Sequence, residues 1–186
     1  MGVTIRPMRP GDGLGVSRVH VDSWRATYDG VVPATYLASL NALENEGERE
    51  GTIFSGHEPG YVAADAENEQ DILGFIAGGN PRTSEEEEYP LADKEIYELY
   101  LLEEIQKQGI GSRLLYQLLN DFKEEDEAET WLVRVLVANP CLPFYDGLEP
   151  TYVKKDTIVL DGEELEEWVL RFSIEETLRL LENKIN

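Results

Sequence analysis

Along this chain the hydrophobic pattern changes character most sharply between Glu95 and Leu119, in EIYELYLLEEIQKQGIGSRLLYQLL. Ile96 to Leu102 reads as a strand. Ser112 to Leu119 reads as a strongly apolar helix, and the glycine-bearing turn Gln106-Lys107-Gln108-Gly109-Ile110-Gly111 leads into it. Upstream, Val3–Met8 reads as a strand ended by Pro10-Gly11. A helix from Asp12 or Gly13 to Tyr28 follows, with Val16, Val19, His20, Ser23, Trp24 and Thr27 at helical spacing. Pro33 suits the first turn of a second helix carrying Tyr36, Leu37 and Leu40, with polar Glu44–Gly51 as its exposed end. Tyr61–Ala64 and Ile72–Ala77 form a hairpin around the acidic turn Asp65–Asp71, and Gly78-Gly79-Asn80-Pro81 ends its second strand. Four consecutive glutamates make Arg82–Pro90 a mobile loop.

Downstream, Thr130–Ala138 is a strand. Asn139-Pro140 reads as N-cap and first position of a short helix to Gly147. Tyr152–Leu160 and Glu166–Phe172 pair around Asp161-Gly162. Ser173-Ile174-Glu175-Glu176 is a capping box opening a final helix with Ile174, Leu178 and Leu181. These elements, without repeat or linker, make one α+β domain over residues 1–172. The helix of residues 173–186 packs on the same body or meets a partner.

The turn at Gln106–Gly111 leaves backbone N–H groups unpaired at a helix N-terminus. Those groups and the helix dipole favour a bound anion, typically a phosphate. A side chain in place of glycine would hold the phosphate off the backbone. The spacing excludes a Walker A loop, since no Gly-x4-Gly-Lys-Ser/Thr string occurs. It also excludes a dinucleotide fingerprint, because Leu114 stands where the third glycine belongs.

Composition narrows the function further. With 186 residues the chain is long enough for a proper core. No apolar run approaches the roughly 20 residues that span a bilayer, and the N-terminus lacks an apolar signal core, so a cytoplasmic location without membrane attachment is expected. Cys141 stands alone and the only histidines are His20 and His57, which argues against a disulfide and against a zinc cluster. A net charge of -22 disfavours nucleic acid and attracts a cationic substrate, or else serves solubility. The acid load concentrates at Glu44–Glu50, Glu85–Glu88 and Glu124–Glu129.

Gln-x-x-Gly-x-Gly after a strand resembles the acetyl-CoA signature of the GNAT N-acetyltransferase family, Gln/Arg-x-x-Gly-x-Gly/Ala. Two further segments are similar to that family: VHVDSWRATYDGVVPATYLASL (Val19–Leu40) to its N-terminal helices, and VANPCLPFYDGL (Val137–Leu148) to its Asn-x-x-Ala-x-x-Phe-Tyr segment. The resemblance runs from Thr4 to Phe172. It implies the GNAT fold, a mixed, mostly antiparallel sheet flanked by helices, with acetyl-CoA as co-substrate and no metal. It implies an acceptor that is a primary amine of a small molecule or peptide; homodimers are common in the family.

The resemblance also implies roles for individual residues. The backbone of Leu99 and Leu101 pairs with the pantetheine arm. The backbone of Gln106, Lys107, Gln108, Gly109, Ile110, Gly111 and Ser112 holds the pyrophosphate, with Lys107 and Arg113 adding positive charge. Tyr145 is the general acid that protonates the departing thiolate, and Asn139 contacts the cofactor or its bound water. Glu98 takes the amine proton through water. His20, Trp24 and Tyr28, one stripe at i, i+4 and i+8, border the acceptor with Tyr100. Each residue also has a structural reading: Tyr145 as a core aromatic, Asn139 as a helix cap, Glu98 as a surface carboxylate, the stripe as packing. Cys141 reads as buried and inert. Leu148-Glu149-Pro150 departs from the family's Leu-Gly-Phe, with Gly147 left to take part of the turn. A CoA-binding sensor without turnover and a non-binding acidic scaffold are the alternatives to an enzyme.

Overall fold

The computed structural model describes residues 2–56, 58–82, 91–125 and 127–185. Apart from Arg82, the expected loop at Arg82–Pro90 lies outside them. In chain order the elements are β1 (Val3–Pro7), α1 (Gly13–Tyr28), α2 (Ala34–Ser39), α3 (Ala42–Ser55), β2 (Gly60–Asp65), β3 (Ile72–Gly79) and β4 (Lys94–Leu101). Then come α4 (Ile110–Glu125), β5 (Thr130–Leu136), α5 (Leu142–Asp146), β6 (Tyr152–Leu160), β7 (Glu163–Ser173) and α6 (Ile174–Ile185). The strands form one seven-stranded sheet, β1-β2-β3-β4-β5-β7-β6. It is antiparallel except where β4 runs parallel to β5.

Helices cover both faces. Leu114, Leu115, Leu118, Leu119 and Phe122 of α4 meet Ile76, Ile96 and Trp131 on one face, where α6 adds Leu178 and Leu181. Trp131 stacks on Phe172 at 4.3 Å between ring centroids and donates to Thr177 Oγ1 at 3.0 Å, so its one polar atom is satisfied inside the core. On the other face, Val16 and Val19 of α1 pack on Val62, Ile72 and Phe75.

β4 carries the feature that shapes the site. Its parallel pairing with β5 lasts for Lys94↔Trp131, Glu95↔Leu132 and Ile96↔Val133; β5 then continues on β7 and β4 on β3. Past Ile96 the two strands part. On the β3 side Ala77 pairs with Glu98 and Gly78 with Ile96, so Tyr97 is an extra residue, a β-bulge. The bulge reverses the alternation of side chains. Ile96, Leu99 and Leu101 share the α4 face, while Tyr100 packs on the α1 face.

Several elements depart from the sequence-based expectation. Glu44–Gly51 is not the tail of α2 but the middle of a separate helix, α3, which buries no residue fully. Asn41 caps it by accepting from Leu43 N at 3.1 Å, and Gly56 ends it with φ 66. The Glu50 carboxylate of α3 accepts the amides of Gly11 (2.6 Å) and Gly13 (3.0 Å), capping α1 from outside. α4 extends to Glu125, beyond Leu119, because Phe122 adds another buried position. α5 begins at Leu142 with Cys141 as N-cap, so Asn139 is not the cap residue. Glu149, not Gly147, adopts the left-handed turn, with φ 58 against −71 for Gly147.

Gly78 is fixed by the bulge. A Cβ there would stand 2.5 Å from the Glu95 carbonyl oxygen and 3.3 Å from Ile96 Cα, both backbone atoms. Gly78→Ala is expected to cost about 2–3 kcal/mol in denaturant unfolding and to disturb β4, since backbone on both sides of the clash is held in the sheet. Unchanged stability would show that the bulge tolerates a side chain.

Candidate acetyl-transfer site

The donor side is built where β4 hands over to α4. A single 3-10 turn, Glu103–Ile105, follows β4. Lys107 (φ 58) and Gly109 (φ 76) then take left-handed conformations that turn the backbone towards the helix start. Gln106 Nε2 donates to the Leu101 carbonyl at 2.9 Å, and Gln108 Nε2 to the Glu104 carbonyl at 2.9 Å. Two predicted ligand residues therefore use their side chains to brace the turn, leaving the backbone for an anion. Arg113 N–H reaches the Gly109 carbonyl at 3.0 Å. The amides before it, including Ile110, Gly111 and Ser112, are the orphan donors of the first turn.

The splayed edge of β4 offers the second set of groups. Leu102 N–H donates to the Leu73 carbonyl at 2.8 Å. In an antiparallel pair hydrogen-bonded and non-bonded residues alternate. Tyr100 and Glu98 thus bond towards β3, and the N–H and C=O groups of Leu99 and Leu101 face the gap opposite β5. Gln106 takes one of them, the Leu101 carbonyl.

Three tyrosines lie near one another at the site: Tyr28 on α1, Tyr100 on β4 and Tyr145 on α5. Tyr28 OH accepts from Asn139 Nδ2 at 2.7 Å, and Asn139 Oδ1 accepts from Cys141 N at 2.8 Å. Asn139 thus ties α1 to the segment after β5. Burial pushes the Tyr28 phenol up to about 12, against the opposing effect of the Asn139 bond. Tyr100 OH accepts from Trp24 Nε1 at 2.8 Å, and burial, with Glu98 adding to it, holds its pKa well above 10. Tyr145 is buried at α5 against Phe144, and burial, with Cys141 and Tyr28 adding to it, raises its pKa strongly. Among the described residues its hydroxyl makes no hydrogen bond. Cys141 is exposed rather than buried.

The predicted acceptor residues come together on the α1 face. A cavity of about 450 Å³ lies between α1, α3 and β4, with His20, Trp24, Glu98 and Tyr100 in its wall. Tyr28 lies beyond Trp24, ring to ring at 4.9 Å. Both terminal guanidinium nitrogens of Arg49 grip Glu98, Nη2 donating to Oε1 at 2.6 Å and Nη1 donating to Oε2. His20 Nε2 stands 3.7 Å from Glu98 Oε1. Burial lowers the His20 pKa, with Glu98 opposing and Arg49 reinforcing, so the imidazole is neutral at pH 7.

Arg49 and Arg82 were not singled out in the sequence. Arg49 rides on the helix that the pattern missed and also covers the Phe75 ring at 5.5 Å. Arg82 lies over the Tyr97 ring at 4.8 Å and pairs with the fully buried carboxylate of Glu95 at 2.6 Å. Neither contact has a local sequence signal. Among the described residues, no group of three or more His, Cys, Asp or Glu is placed to hold a metal, and no helix is long and apolar enough to cross a membrane.

The splayed β4–β5 pair stands beside the glycine turn and the start of α4, and comparison with known proteins identifies the fold. The acetyltransferase (GNAT) family model matches residues 21–147. The chain is 35% identical over 182 residues to the uncharacterized N-acetyltransferase YuaI of Bacillus subtilis (strain 168), covering 98% of this chain and 99% of that protein. Among solved structures, PaiA N-acetyltransferase of Thermoplasma acidophilum in complex with coenzyme A superposes with TM-score 0.64 at 19% identity, covering 93% of this chain and 99% of the other. NAA60 of Arabidopsis thaliana in complex with acetyl-CoA gives TM-score 0.69 at 15% identity, covering 94% and 99%. The chain belongs to the acetyltransferase (GNAT) family.

The His20 environment gives a signed expectation. Its folded-state pKa lies below the usual value of 6.5, so the unfolded chain binds more protons between the two values. The stability that His20 contributes is complete above 6.5 and is lost as pH falls through the lowered value. Arg49→Met removes a lowering charge and leaves Glu98 unopposed, so His20 should titrate at higher pH in proton NMR. A titration that stays in place or moves down contradicts the arrangement.

Proposed function

We propose that the protein transfers the acetyl group of acetyl-CoA to a primary amine by direct attack. The observation that carries this reading is the parting of β4 from β5. It leaves the Leu99 backbone groups and the Leu101 N–H facing the gap, with the Leu101 carbonyl taken by Gln106, beside the orphan amides of α4, while the Tyr145 hydroxyl is uncommitted. These groups fit the cofactor. A strand edge pairs with an amide-bearing arm, a helix start with the pyrophosphate, and a left-handed Lys107 next to the turn adds charge. Bound acetyl-CoA supplies an activated acetyl thioester.

The chain's own residues do the rest. The amine must be neutral to attack; Glu98, the base expected from the sequence, is held by Arg49, and the neutral His20 beside it accepts the amine proton in the cavity that Trp24 and Tyr100 also line. Tyr145, kept protonated by its raised pKa, hydrogen-bonds to the departing sulfur and gives it a proton. In balance, an N–C bond forms, the C–S bond breaks, and the proton lost by nitrogen replaces the one delivered to sulfur. Asn139 serves this site by fixing Tyr28 across the gap.

The test is Tyr145→Phe. It should lower kcat by about 100-fold or more, while the rise in melting temperature caused by acetyl-CoA stays as in the parent. Full activity across pH would remove the general-acid role. An acetyl-CoA shift without thiol release from a broad panel of amines would instead identify a CoA-binding sensor, and no shift at saturating acetyl-CoA a scaffold.

A further inference from the structure

Two hydroxyls at the site have their direction fixed by their neighbours. The backbone N–H of Cys141 can only donate, so the Asn139 atom 2.8 Å from it is the amide oxygen. The other end of that amide, Nδ2, must then donate to Tyr28 Oη, at 2.7 Å. The indole Nε1 of Trp24 is likewise a donor only, and it reaches Tyr100 Oη at 2.8 Å. Both phenol oxygens therefore accept, and each must send its own proton elsewhere. Among the described residues neither proton has an acceptor. The two phenols share a neighbour: the Tyr28 ring lies 4.9 Å from the Trp24 ring whose N–H holds Tyr100. Tyr28 is only 3% exposed, and Tyr100 lines the cavity beside Glu98, on the strand that parts from β5. Burial keeps both phenols protonated.

Two obligate donors suit only one of the reacting groups. The attacking amine cannot use them, because an O–H bonded to its lone pair would hold that pair back. The departing sulfur is served by Tyr145. The carbonyl oxygen of the acetyl thioester carries no proton and gains negative charge as the N–C bond forms. Donors fixed in place before the reaction, and sheltered from water, meet that need. We infer that Tyr28 and Tyr100 donate to the thioester carbonyl oxygen and stabilise the charge that develops there, and that Asn139 and Trp24 are positioning residues that aim them. This rests on the acetyl-transfer reading and supplies its carbonyl-polarising groups. Both hydroxyls keep their protons throughout: the amine proton still goes to His20, and the sulfur still takes one from Tyr145.

The experiment compares acetyl-CoA with S-ethyl-CoA, which keeps the two-carbon group and lacks the oxygen, by calorimetric titration without an acceptor. The parent protein should bind acetyl-CoA about tenfold more tightly. Tyr28→Phe and Tyr100→Phe should each cut that preference about threefold, with S-ethyl-CoA bound as in the parent. Each should also lower kcat at least about tenfold, with KM for the amine unchanged. Asn139→Asp reverses one bond, because a carboxylate accepts the Tyr28 proton while still accepting from Cys141 N. It should lower the preference as Tyr28→Phe does, and Tyr28→Phe/Asn139→Asp should lose nothing more. A merely structural role for either phenol would weaken both ligands alike. An unchanged preference in either Phe variant, or Asn139→Asp behaving as the parent, would overturn the assignment. A preference that the variants lose upholds it even where no amine releases thiol. Equal turnover by the parent and both Phe variants rejects it and leaves the acetyl-transfer reading intact, whereas a parent that binds neither ligand rejects both.

Discussion

Everything about the site depends on a pairing that stops. β4 and β5 are held together through three residue pairs and then separate, each continuing on its outer neighbour. Because the strands are parallel at the join, their carboxyl ends leave side by side. Both the turn into α4 and the segment carrying Asn139 and Tyr145 therefore open onto the same gap. A sheet with unpaired groups inside it is costly unless something replaces the missing strand. The Gln106 amide meets part of that need at Leu101, and a peptide-like ligand would meet more of it. The bulge at Tyr97 completes the arrangement by sending Glu98 and Tyr100 to the α1 side while Leu99 and Leu101 stay with α4.

This geometry divides the labour between the faces. The α4 side is apolar and closely packed, and supplies a fixed platform for the donor. The α1 side carries the ionised and aromatic groups: His20, Glu98, Arg49, Trp24 and Tyr100. A neutral imidazole within reach of a carboxylate that an arginine already holds is a stable combination, because the charges are paired before any substrate arrives.

The parts of the fold set by local patterns could be read directly from the sequence. The turn at Gln106–Gly111, α1, the hairpin of β2 and β3 and the capped start of α6 all have period, cap or glycine signals of their own. α3 was missed because its charged sequence buries no residue fully, so apolar periodicity says little about it, although Asn41 and Gly56 mark its ends. Asn139 illustrates a different limit. Asn-Pro suits a helix cap, yet the side chain bonds to Tyr28, a residue 111 positions away. Arg49 was invisible for the same reason, since Glu98 lies 49 positions away, and Arg82 meets Glu95 only through the pairing of β3 with β4. The wall made of long-range ion pairs is the part that sequence patterns did not disclose.

α3 is anchored by a few charged contacts, Glu50 on the amides of Gly11 and Gly13 and Arg49 on Glu98, and it gives no fully buried side chain to the core. Its solvent-side and cavity-side positions are consequently free to vary without a packing penalty, provided those two anchors persist. Selection can rewrite Asn45, Glu48 and Thr52 one at a time while the sheet, the turn and the tyrosines stay as they are. The protein thus places positions that can drift to meet a new substrate on an element that gives the core no fully buried side chain.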